Sequence, residues 1–102
     1  MNTEQLIETG RTRFEHVAAR RLLKEKYAAK MLFAYNGGMW CAGPELLTLL
    51  QAIPVQDAVV ILDLYETPVQ INPAELQYLA LGRWQEQMTA WLVEYEELNK
   101  KR

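Results

Sequence analysis

Three sets of side chains in this sequence are of types that do chemistry: a lone histidine, His16, a lone cysteine, Cys41, and the carboxylates Asp63, Glu66 and Glu75. A histidine serves as a general base or metal ligand only beside a nucleophile or further ligands at a suitable spacing. His16 has no such neighbour in the sequence and is expected at a surface or rim. Cys41 has no CxxC partner and falls in a predicted strand, so it is expected to be buried and unreactive. Paired carboxylates can move protons or hold a cation, but no nucleophile, oxyanion donor or phosphate cradle accompanies Asp63, Glu66 and Glu75. The "NGG" at 36–38 lacks the lysine and the preceding buried strand of a phosphate loop. These residues point away from an enzyme. We assign no catalytic, cofactor-binding or metal site and expect no small-molecule substrate.

Two other groupings suit binding. Residues 1–30 hold seven of the eleven basic residues against four glutamates, so that segment is +3 and the remainder −5 within a net charge of −2. Arg13, Arg20 and Lys24 are the candidate nucleic-acid contacts on this basic face, although the interleaved glutamates favour an ordinary solvated surface. The second grouping is Leu81, Trp84, Met88, Trp91, Tyr95 and Leu98, spaced by alternating steps of three and four residues. That spacing is a heptad seam. Tryptophan, tyrosine and methionine are enriched where proteins meet, so these six residues are the candidate interface.

The elements that carry these residues follow from local signals. A chain of 102 residues, half of them hydrophobic, is expected to be one α+β domain over 1–102. A long helix is predicted over 1–30, a hairpin–helix–hairpin body over 31–72 and a second long helix over 73–102. Asn36-Gly37 is a strong hairpin signal because both central residues of a type I′ turn need positive φ. It predicts a strand over 31–35, a turn over 36–38 and a return strand over 39–42. The competing reading continues the first helix to Tyr35 and caps it with Gly37. Pro44 suits the first position of a short helix reaching about Ala52. A second hairpin is expected from a strand over Val59–Leu64 and a return over Val69–Ile71. Asn72, Pro73 and Glu75 then form a helix start. Offset by 29 residues, Pro44 meets Pro73, so two ββα units are expected to build one small, mostly antiparallel sheet.

Both long helices carry apolar stripes, the first through Ile7, Phe14, Val17, Ala18 and Leu22, and an antiparallel pair is the simplest way to cover them. If facing residue numbers sum to about 105, then Phe14 meets Trp91, Val17 meets Met88, Gly10 meets Tyr95 and Ile7 meets Leu98. The same register brings Glu4 near Lys101, Arg11 or Arg13 near Glu94, and Arg20 near Glu86. Arg21 and Lys24 then face Trp84 and Leu81, with Arg21 able to stack on Trp84. The last helix presents more apolar bulk than the first can cover, and self-association follows as an expectation. No apolar run suits a membrane span, the polar opening of Asn2 to Gln5 is unlike a secretory signal, and a single cysteine fits a reducing cytoplasm.

The segments "GGMWCAGPELLTLL", "LDLYETPVQINPAEL" and "WQEQMTAWLVEYEEL" together resemble small uncharacterised proteins encoded by tailed bacteriophages. The resemblance implies a virion or assembly role, in the host cytoplasm or the particle, and carries no catalytic residues.

Overall fold

The computed structural model describes residues 3–100, with side-chain surroundings given from residue 12 onward. The order of elements is α1 (Thr3–Lys30), β1 (Leu32–Tyr35), β2 (Gly38–Cys41), α2 (Pro44–Ala52), β3 (Val59–Leu62), β4 (Pro68–Ile71) and α3 (Pro73–Lys100). This is the α+β arrangement expected from the sequence, with long first and last helices packed on each other. α1 stops where expected. The Met31 N–H bonds back to the carbonyls of Tyr27 and Ala28, and the Met31 carbonyl then accepts the Ala42 N–H at 2.9 Å, starting the first hairpin. Asn36 and Gly37 have φ of 51° and 81°, the left-handed pair a two-residue hairpin turn requires. The reading that extended the first helix to Tyr35 therefore falls.

Pro44 opens α2, and the Gly43 carbonyl accepts the Leu47 N–H to close its first turn. Before α3, the Asn72 side chain accepts the Ala74 and Glu75 N–H groups at 3.0 and 3.2 Å, capping the helix as its sequence dictates. β3 is shorter than expected. It ends at Leu62 because the Asp63 N–H turns back to the Thr67 carbonyl and the Glu66 N–H to the Asp63 carbonyl, with Glu66 at φ 61°. A five-residue loop results where the first hairpin needs two.

The two hairpins do not form one sheet. Each is a separate two-stranded antiparallel sheet, Phe33 pairing with Trp40 in one and Ile61 with Val69 in the other. No ladder joins them because the second hairpin meets the first across its turn. The Leu64 N–H donates to the Met39 carbonyl at 2.8 Å, the Met39 N–H to Asp63 Oδ2 at 3.1 Å, and Asn36 Nδ2 to the Gln70 carbonyl at 3.1 Å. Behind this junction lies the core, built from Met31, Phe33, Trp40, Ala42, Leu50, Ile71, Leu76 and Ala80. Trp40 is its largest member, and its indole N–H is satisfied by the Tyr35 carbonyl at 2.9 Å.

Because Leu76 and Ala80 are fully buried in that core, the first turns of α3 are occupied by the hairpins and α2, and α3 meets α1 late. Arg83 Nη1 reaches the Lys30 carbonyl at 3.5 Å, Trp91 stacks on Tyr27, Lys26 pairs with Glu94, and Arg20 lies over Tyr95. These pair numbers sum to 113–120, so the expected register near 105 is wrong. Trp91 meets Tyr27 in place of Phe14, Glu94 takes Lys26 in place of Arg13, and Arg20 takes Tyr95 in place of Glu86. The partners expected for Ile7, Gly10, Glu4, Arg11 and Lys101 involve side chains outside the described residues. Phe14, Val17 and Leu22 are 74, 62 and 60 % exposed, so this stripe does not pack into the helix interface, and Val17 lies at its open flank. Of the expected stripe Ala18 is half-buried; the column with helical spacing that is half-buried or buried is His16, Ala19, Leu23 and Tyr27.

A further outcome of this register is length. Continued along the pair, it brings the end of α3 at Lys100 beside the middle of α1, near His16. The molecule measures 67 × 23 × 21 Å.

The junction between hairpins yields a paired prediction. A Cβ at Gly38 would sit 3.1 Å from both Trp40 Cζ2 and Val69 Cγ2 and 3.2 Å from Asp63 Cβ, whereas one at Gly82, inside α3, would meet nothing within 4 Å. Gly38→Ala is expected to destabilise by about 1–3 kcal/mol through overpacking. Gly82→Ala should stabilise by roughly 0.5–1 kcal/mol through helix propensity. Urea unfolding of the two variants beside the wild type checks both signs.

Candidate interaction surface

The residue types that suggested chemistry are placed as follows. Asp63 is held inside its loop: Oδ1 accepts the Tyr65 and Thr67 N–H groups at 2.9 Å each, and Oδ2 accepts Met39. The bond from Thr67, then that from Met39, holds the Asp63 carboxyl below its usual pKa of 3.8. Glu66 shares the loop. Glu75 instead lines a separate concavity with Asn36, Asp57 and Asn72, so the three carboxylates are not brought together. Cys41 is exposed, contrary to the expected burial. The physical reason is the two-residue period of a strand: once Trp40 points into the core, its neighbour must point out. His16 is half-buried on the column that faces α3, and its Nε2 is enclosed without a hydrogen-bond partner.

The seam residues lie along one flank of the molecule, with one exception. Trp84, Met88 and Trp91 form a wall of an apolar groove of about 600 Å³ whose other side includes Cys41, Leu49, Leu62 and Leu64. Leu62 is 59 % exposed and Leu64 45 %, so the groove opens to solvent. Trp91 also belongs to a second groove of about 440 Å³, shared with Tyr95, Val17, Arg20, Arg21 and Lys24. The two grooves meet at Trp91 and form one strip that is apolar near the hairpins and basic toward the helix tip. Leu98 is half-buried farther along α3. Leu81 is the exception, lining a hollow beside Phe33, Tyr78 and Leu79. Arg21 belongs to the groove with Trp91 and Tyr95, not to a stack on Trp84. Of the basic candidates, Lys24 and Arg20 line the second groove, while Arg13 is exposed and does not line it.

Tyr27 anchors this strip and was not singled out from the sequence. Its ring lies parallel to Trp91, 5.9 Å away with 6° between planes, and both Lys26 and Lys30 place Nζ 5.3 Å from its centre. Lys26 bonds Glu94 Oε1 at 2.7 Å, which raises the lysine pKa and lowers that of Glu94. Glu94 also favours the protonated phenol of Tyr27 and raises its pKa. The signal that would have found Tyr27 is the column His16, Ala19, Leu23, Tyr27, which has helical spacing but less bulk than the stripe through Phe14.

Comparison with protein-family models, with curated proteins and with solved structures gives no match.

Asp63 supplies a pH prediction. Its pKa is depressed in the folded state, so its contribution is fully present above the unfolded value near 3.8 and is lost as pH falls through the lower folded value. Asp63→Ala should lower Tm by several degrees at neutral pH, and the gap to wild type should narrow below pH 3.8. Thermal melts across that range test it.

Proposed function

We propose that this protein is a non-catalytic interaction or assembly component that associates with itself. One observation carries the reading: the chain exposes 7619 Å². A compact monomer of 11.8 kDa would expose about 5,900 Å². The excess, about 1,700 Å², exceeds the roughly 800 Å² each partner gives to a standard interface. Its radius of gyration of 19.5 Å points the same way, against about 13 Å for a compact chain of about 100 residues. Apolar groups lie open along the Trp84–Met88–Trp91 groove and on the outer stripe of α1. If the likeness to tailed-phage proteins holds, the setting is a virion or its assembly in the host cytoplasm, with another particle protein as a further partner. No helix among the described residues is long and apolar enough to cross a membrane.

A second reading is a nucleic-acid-binding regulator using Arg13, Arg20 and Lys24, favoured by the meeting of cations with Trp91 and Tyr95 in one groove. It ranks lower because Trp91 already stacks on Tyr27 and Arg20 already covers Tyr95, leaving less ring surface for bases.

Light scattering at micromolar concentration is expected to give at least twice the chain mass. Met88→Glu, at a position 37 % exposed, should shift the protein toward monomer without loss of helical circular dichroism. A wild-type monomer at high concentration would overturn the reading.

A further inference from the structure

The start of α1 and the basic groove are complementary in charge and length. Residues 3–10, "TEQLIETG", carry Glu4 and Glu8 as their only charged residues, with Leu6 and Ile7 between them. This stretch makes up the first two turns of α1. The groove contains the opposite set: Arg20, Arg21 and Lys24, with Val17, Trp91 and Tyr95 and no acidic residue in its lining. Along α1 it spans Val17 to Lys24, about 10 Å, and an eight-residue helical arm is about 12 Å long.

We propose that the occupant of the groove is the N-terminal arm of a second copy of this chain, residues 3–10, exchanged reciprocally in a two-fold dimer. The proposal rests on the self-association argued above and specifies how it occurs. If two α1 helices cross antiparallel at Phe14, each arm lies beside residues 17–24 of the other helix, because Phe14 stands at the midpoint between the two segments. A two-fold pairing of this kind satisfies both arms and both grooves at once and closes without leaving a free site. It also covers Phe14 and Val17, which are otherwise exposed. Charge sets the pairing, since the two glutamates of the arm would meet the three cations of the groove.

The experiment uses the full chain and light scattering at low salt. Arg21→Glu with Lys24→Glu should halve the mass, as should Glu4→Lys with Glu8→Lys, each with wild-type helical circular dichroism. Combining all four substitutions should restore the dimer. A groove variant that remains dimeric overturns the arm proposal while leaving self-association intact, and a four-fold variant that remains monomeric overturns the arm as the occupant. A wild-type monomer removes the underlying reading as well. Salt-sensitive binding of a single-stranded oligonucleotide, lost in the groove variant with no change in mass, would assign the groove to nucleic acid instead.

Discussion

The fold depends on the clasp between two hairpins that share no ladder. Asp63 is its centre: one carboxylate accepts the N–H groups of Tyr65 and Thr67 in its own loop and of Met39 in the other hairpin, while Leu64 returns a bond to the Met39 carbonyl. Two-stranded sheets are marginal alone in water, and each here is supported by the other and by the helices behind them. The fit at Gly38, where Trp40, Val69 and Asp63 leave no room for a side chain, sets how closely the hairpins approach. Everything downstream takes its position from that approach. Ile71 enters the core, Asn72 caps α3 in a fixed place, and the first turns of α3 are committed to Leu76 and Ala80 before the helix reaches α1.

The same commitment decides the shape of the candidate surface. With its first turns in the core, α3 meets α1 from Lys30 backward and ends beside its middle. The Tyr27–Trp91 stack and the Lys26–Glu94 pair fasten this part of the helix pair. Trp91 thus has one place inside the pair and another at the meeting of two open grooves, so under the proposed self-association one residue would serve both internal packing and recognition.

Much of this was legible in the sequence wherever the signal was local. Asn36-Gly37 specified a turn, Pro44 and Asn72-Pro73 specified helix starts, and the repeat at an offset of 29 matched two ββα units. The larger departures are non-local. Any two heptad stripes can be aligned, and choosing the bulkier stripe through Phe14 and Val17 concealed the thinner column ending at Tyr27. One expected sheet became two because hairpin signals say nothing about how hairpins meet. Cys41 was the avoidable error: with Trp40 beside it on a short strand, alternation allows only one of them inside. Of the candidate surface, Trp84, Met88, Trp91 and Tyr95 were visible from their spacing. The grouping of Arg20, Arg21 and Lys24 beside Trp91 and Tyr95 was not, because it follows from the register.

The contact between Lys26 and Glu94 joins positions 68 residues apart, while each hairpin and each helix is built from near neighbours. Closing so long a loop carries an entropy cost that short-range elements do not share. The ββα units are therefore expected to form first and the helix pair to zip last, in a sequence of events readable by stopped-flow fluorescence because Trp40 and Trp84, which packs against the core, report the body and Trp91 the pair. The tip of the helix pair, farthest from the clasp, is then also the part that opens at the lowest free energy in the folded molecule, and hydrogen exchange should spread inward from that end.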